Sequence, residues 1–146
     1  MKIRFPAIAA FSVIATFGTS TALYAQMGAM TSAWDGVYTA AQANHGKQLF
    51  DDNCAKCHGS TLDGADEIPA LKGSHFMADW EQQSLNDLMD RARNTMPLDN
   101  PGVLNSQSST DVVAFLLQQN GMPAGTAPLQ PGLLSQIRID PTKPGT

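Results

Sequence analysis

The chain's two cysteines and one of its three histidines stand together as Cys54-Ala55-Lys56-Cys57-His58. C-x-x-C-H is the spacing that attaches a c-type haem. Each thiol can add across one vinyl group of the porphyrin, giving two thioether bonds. Placed at the start of a helical turn, the two sulfurs point at one edge of the ring. His58 follows at once and is positioned to present an imidazole nitrogen to the iron as its proximal ligand. Two other chemistries use paired cysteines. A redox dithiol expects a βαβ setting, and the pattern around residues 54–58 shows none. A zinc site wants four ligands, usually from a second paired motif, and these are the only cysteines. With both thiols consumed no disulfide remains possible, and the covalent links hold the cofactor even in a small domain.

The length of 146 residues predicts one domain. The N-terminus is basic (Lys2, Arg4), then apolar from Phe5 to Gly18, then small and polar to Ala25. That is the order of a secretory signal peptide over residues 1–25, cut after Ala25, with Ala22 the second choice. The apolar run is shorter than the ~20 residues a spanning helix needs, which disfavours an uncleaved anchor. No later stretch could span a bilayer. Export predicts a periplasmic or equivalent compartment. Losing Lys2 and Arg4 takes the formal net charge from −4 to −6. Such a surface is a poor fit to nucleic acid or anionic lipid and a better one to a basic patch on a protein, although acidity also serves solubility.

Residues 26–38 read as an irregular lead-in, with Trp34 and Tyr38 available to lie against a domain. Thr39-Ala40-Ala41-Gln42 has the capping-box pattern that opens a helix. Ala43, Gly46, Leu49 and Phe50 then recur at helical spacing and deliver the chain into the Cys54–His58 turn. Glycine is unfavourable inside a helix, so Gly46 predicts a close helix–helix contact. Gly59 to Gly73 reads as a loop able to wrap one haem edge. Ser74 is expected to cap a short helix reaching Trp80, and Ser84 a second one whose buried face is Leu85, Leu88, Met89 and Ala92. Thr95-Met96-Pro97 ends that helix, because the residue before proline is pushed into extended geometry. A last helix is expected over 106–119, capped by Asn105 and stopped at Asn120-Gly121, with Val112, Phe115 and Leu116 as its stripe. Phe115 is expected to meet Gly46 and Phe50. Five of the nine prolines fall between Gly121 and Thr146, so this extension should lack long regular structure. Its Leu133, Leu134, Ile137 and Ile139 are apolar enough to pack back on the domain. No nucleophile–base constellation or phosphate loop is present, which argues against an enzyme.

From about Ala40 to Gly121 the chain resembles the class I, single-haem cytochrome c family. The resemblance rests on Gly46 and Phe50 before the haem motif, on Cys54, Cys57 and His58, on Pro69-Ala70-Leu71 after it, on Met96-Pro97 and on Phe115. It implies a small all-α domain, 39–121, in which the first and last helices cross and one covalent haem c lies in an apolar crevice. The extension is then 122–146. It also implies that the Pro69 carbonyl accepts from the second nitrogen of His58 and so orients it. From Trp80 onward the chain is similar to the small cytochromes associated with quinoprotein alcohol dehydrogenases, through Thr95-Met96-Pro97 and Asn120-Gly121-Met122-Pro123-Ala124-Gly125.

One iron position beyond His58 has to be assigned. His75, Met77, Met89, Met96 and Met122 are the downstream candidates. Met89 sits on the apolar face of its helix, where packing accounts for it. His75 and Met77 lie close behind the proximal ligand. Met96, 38 residues beyond His58 in an extended turn, matches the arrangement the resemblance implies. Iron held by His58 and Met96 suits electron transfer, and methionine raises the reduction potential. The resemblance therefore implies an exported, non-catalytic carrier of single electrons. It would run from a quinoprotein-type dehydrogenase to a respiratory acceptor, a cytochrome or an oxidase. The competing reading is a haem sensor or peroxidase with an open distal position, for which His45 or His75 would have to act as the base.

Overall fold

A computed structural model describes residues 30–143. The expected signal segment 1–25, the first residues of the lead-in and the last three of the extension lie outside the described residues. Five helices carry the fold: α1 (Ala40–Asn53), α2 (Ala55–His58), α3 (Gly73–Trp80), α4 (Leu85–Thr95) and α5 (Ser106–Gln119). Two two-residue strands, β1 (Thr31–Ser32) and β2 (Ile137–Arg138), pair in parallel, Thr31 opposite Ile137 and Ser32 opposite Arg138.

Helix α5 is the axis of the core. It starts at Asn105, whose Oδ1 accepts from the Ser108 amide at 2.9 Å. Every residue from Ser109 to Leu117 is buried, so the helix is enclosed on all sides rather than laid along a surface. Its main partner is α1, and Gly46 sets how close they come. A Cβ at Gly46 would sit 1.8 Å from the Asp111 carbonyl oxygen and 3.0 Å from the Val112 nitrogen. The atoms nearest the bare face of Gly46 belong to the α5 backbone rather than to the Phe115 side chain expected there. The bare face of Gly46 takes the α5 backbone at Asp111 and Val112, where no side chain fits. Phe115 meets Phe50, as expected, with ring centroids 5.3 Å apart and planes tilted by 53°. This tilted arrangement suits the quadrupoles of two aromatic rings.

Thr39 caps α1, its Oγ1 accepting from the Gln42 amide at 3.2 Å. The Gln42 side chain does not complete the expected capping box. It is buried at the helix crossing, where every donor and acceptor needs a partner. Its Nε2 donates to Asp111 Oδ1 at 2.8 Å and to the Leu129 carbonyl at 2.9 Å, and its Oε1 accepts from the Leu129 amide at 2.7 Å. One side chain thus pairs with both backbone groups of a residue in the extension.

The start of α3 also differs from the sequence reading. Its N-cap is Lys72 rather than Ser74, and the first free amide, Gly73 N–H, is met by Asn120 Oδ1 at 2.9 Å. The other end of that amide donates to the carbonyls of Leu71 (3.1 Å) and Leu116 (2.8 Å). Asn120 ends α5 and begins α3 with one side chain, a long-range arrangement that local capping rules do not see. Helix α4 opens with a reciprocal box: Ser84 Oγ accepts from the Asp87 amide at 3.2 Å, and Asp87 Oδ2 accepts from the Ser84 amide at 3.0 Å.

The lead-in and the extension close over one end of the helices. The Tyr38 hydroxyl donates to the Met122 carbonyl at 2.6 Å, and the Trp34 indole N–H to the Asp140 carbonyl at 3.0 Å. Gly125 N–H donates to the Tyr38 carbonyl at 2.7 Å, and a Cβ at Gly125 would lie 1.8 Å from the Gly36 oxygen. Leu129, Leu134, Ile137 and Ile139 are buried in the common core, whereas Leu133 is exposed. Among the described residues no helix is long and apolar enough to cross a membrane.

Candidate functional site

Helix α1 ends at Cys54, whose amide donates to the Phe50 carbonyl at 2.8 Å. The chain then makes the single helical turn α2. His58 N–H donates to the Cys54 carbonyl at 3.0 Å, and Gly59 turns the chain out with φ +74°. Cys57 is exposed and Cys54 half-buried. Burial, and then the neighbouring Cys57, push the Cys54 thiol up to about 11.

His58 is buried, 8% exposed, and its ring is aimed by the loop that follows. Gly64 is the corner of that loop. Its φ is +67°, and a Cβ there would come within 2.2 Å of the Ile68 carbonyl oxygen. Only glycine allows both, and the tight fold closes with a bridge between Ala65 and Ile68. The next carbonyl, that of Pro69, then accepts from His58 Nδ1 at 3.1 Å. This bond fixes the tautomer and leaves Nε2 as the ring nitrogen with a lone pair to give.

Met96 is the residue at which α4 stops. Its backbone is extended (φ −126°, ψ 151°), and its amide donates to the Ala92 carbonyl at 3.1 Å. Cys54 and Met96 line one cleft together with Ala92, Arg93, Pro97, Leu104, Ser109 and Val112. The Met96 loop is tied to the cysteine turn by Lys56 Nζ and Asp99 Oδ2 at 3.1 Å, both side chains being exposed. Hydrogen bonding and charge attraction to Lys56 hold the Asp99 carboxyl below its usual range.

The remaining ligand candidates lie elsewhere. Met89 is in the core, where Thr110 Oγ1 lies 3.7 Å from its sulfur. Met122 is buried under Tyr38, Met77 is partly buried against the core, and His75 is exposed on an open acidic surface with Asp63, Asp66 and Glu67. His45 belongs to the helix crossing: its Nδ1 lies 2.8 Å from Asp111 Oδ2.

The residues present fit a haem. The cleft is largely apolar, a thioether and a cysteine share it, and an imidazole with its second nitrogen already bonded stands one turn away. Ser109 was not singled out in the sequence. Its Oγ is, among the described residues, the one buried side-chain polar atom with no hydrogen-bond partner. Its position three residues before Val112, on the same helical face, was the available signal: a hydroxyl in an otherwise apolar stripe.

Residues 43–120, more than half the chain, match the family model described as Cytochrome c. The chain belongs to the cytochrome c family: a small, mostly helical protein that binds covalent haem c and transfers single electrons. Cys54 and Cys57 have the spacing of the family's haem-attaching pair. Among solved structures, the sulfane dehydrogenase SoxCD from Paracoccus pantotrophus is similar in fold at 24% identity and a TM-score of 0.53, over 86% of this chain and 68% of that one. No curated protein matches the chain at a significant level.

Proposed function

We propose that this chain is an exported carrier whose haem is bonded to Cys54 and Cys57 and ligated by His58 and Met96. Residues 1–25 are the signal peptide, 26–38 the lead-in, 39–121 the haem domain and 122–146 the extension. The carrier works in the periplasm, between a quinoprotein-type dehydrogenase and a cytochrome or oxidase of a respiratory chain. The observation that carries the reading is the extended Met96, which shares an apolar cleft with Cys54 while the buried His58 is oriented by Pro69. When bound, the haem supplies a one-electron couple. The chain's own part would be to hold the haem through the cysteines and His58 around α2, to keep water from the cleft with Ala92, Pro97, Leu104 and Val112, and to offer a docking rim. Leu98 and Val103, in the loop after Met96, are apolar and 73% and 46% exposed, and suit such contact with a partner.

The test is rapid mixing of the oxidised, purified holoprotein with a quinoprotein alcohol dehydrogenase reduced by its alcohol. The expected result is reduction of one electron equivalent per haem, with a mature N-terminus at Gln26. A protein that stays oxidised under these conditions while ferricyanide and ascorbate cycle it freely would exclude that donor.

A further inference from the structure

Ser109 is 2% exposed, lines the cleft beside Met96, and its hydroxyl has no partner. A buried hydroxyl left unpaired carries its full desolvation penalty. Helical serines and threonines commonly return the O–H to the carbonyl four residues back. Thr110 does so, donating to the Ser106 carbonyl at 2.8 Å. Ser109 does not, although the Asn105 carbonyl is present and accepts from the Ser109 amide at 2.9 Å. The cleft around it offers few acceptors: Ala92, Pro97, Leu104 and Val112 have apolar side chains, and Arg93 only donates. The sulfurs of Met96 and Cys54 remain. The neighbouring Thr110 Oγ1 lies 3.7 Å from the sulfur of Met89 while its proton goes to Ser106, so the packing of α5 on α4 brings a hydroxyl and a methionine sulfur together.

We infer that Ser109 donates a hydrogen bond to the Met96 thioether in the haem-loaded protein, as a positioning residue that raises the reduction potential. The inference rests on Met96 being the second axial ligand. A thioether sulfur has two lone pairs; one goes to iron and the other is free to accept. A donor on the second pair draws electron density from the sulfur, which makes it a poorer ligand to ferric iron and favours the ferrous state. Methionine's unbranched chain lets the sulfur meet both demands.

The test compares native holoprotein with Ser109→Ala and Ser109→Thr. Midpoint potential and the sulfur-to-iron charge-transfer band of the oxidised form are the readouts. Ser109→Ala should lower the potential and displace the band; Ser109→Thr, which keeps the hydroxyl, should restore both towards native. A native band with Ser109→Ala unchanged in potential and band position overturns the inference and leaves Met96 ligation standing. Absence of the band in native protein removes the ligand assignment itself, and the inference with it.

Discussion

Replacing Gly46 by alanine isolates the close contact between α1 and α5. On helix propensity alone the change favours folding by roughly 0.5–1 kcal/mol. The structure reverses the sign. The added Cβ would lie 1.8 Å from the Asp111 carbonyl oxygen and 2.4 Å from its carbon, and both are backbone atoms of the most enclosed helix. An ordinary contact begins near 3.4 Å, so the helices would have to separate by more than an ångström. That separation would loosen the contact between Phe50 and Phe115 and the Gln42–Asp111 bond in the same interface. Overpacking of this kind is destabilising by about 1–3 kcal/mol, and leucine should do worse than alanine. For a domain of this size each kcal/mol moves the melting temperature by roughly 4–8 °C. Thermal melting of oxidised holoprotein, followed by far-ultraviolet circular dichroism, should therefore show a fall of about 4–24 °C. A melting temperature equal to or above native would mean that the crossing is not set by Gly46, and the packing argument would be wrong.

Cys54→Ala together with Cys57→Ala should leave no haem-stained band on a denaturing gel, and full staining would sink the covalent assignment. Asp99→Asn should alter the acid limb of the stability profile. The Asp99 carboxyl is held below its usual value in the fold, so its contribution is present above the unfolded carboxylate value and is lost as pH falls through the folded one. The variant should show a shallower loss of stability over that acid interval, and added salt should shrink the difference because the pair is exposed. Identical acid profiles for native and variant would show that Lys56 and Asp99 do not act on each other.

Much of the fold was legible because the signals were local. Asn105 and Ser84 cap their helices through side chains three residues from the amides they meet, and Pro97 forces Met96 to be extended. The haem-binding turn was legible for the same reason, since five consecutive residues carry it. What escaped the sequence reading is long-range. Gln42 looked like half of a capping box but reaches Asp111 and Leu129, 69 and 87 residues away. Asn120 looked like a helix stop and also starts α3, 47 residues earlier. In both cases a buried amide took the partners that tertiary packing offered, and periodicity holds no information about them. Phe115 was assigned to the right interface and meets Phe50 as expected, but the spacing of a stripe could not say that the α5 backbone, at Asp111 and Val112, would stand nearest Gly46. Ser109 was invisible for a further reason: an orphaned hydroxyl is recognised only after every possible partner has been placed.

The central claim is that the iron is held on both sides, by His58 and by Met96. The most direct measurement is the optical spectrum of native and Met96→Ala holoprotein in both oxidation states, with carbon monoxide added to the reduced forms. Native protein should be low-spin throughout, show the sulfur-to-iron band in the red when oxidised, and bind carbon monoxide poorly. Met96→Ala should lose the band and bind carbon monoxide readily, with its haem still covalently attached. Native protein that is high-spin, lacks the band and takes up carbon monoxide at once would contradict the account and leave an open, sensor-like or peroxidase-like iron in its place.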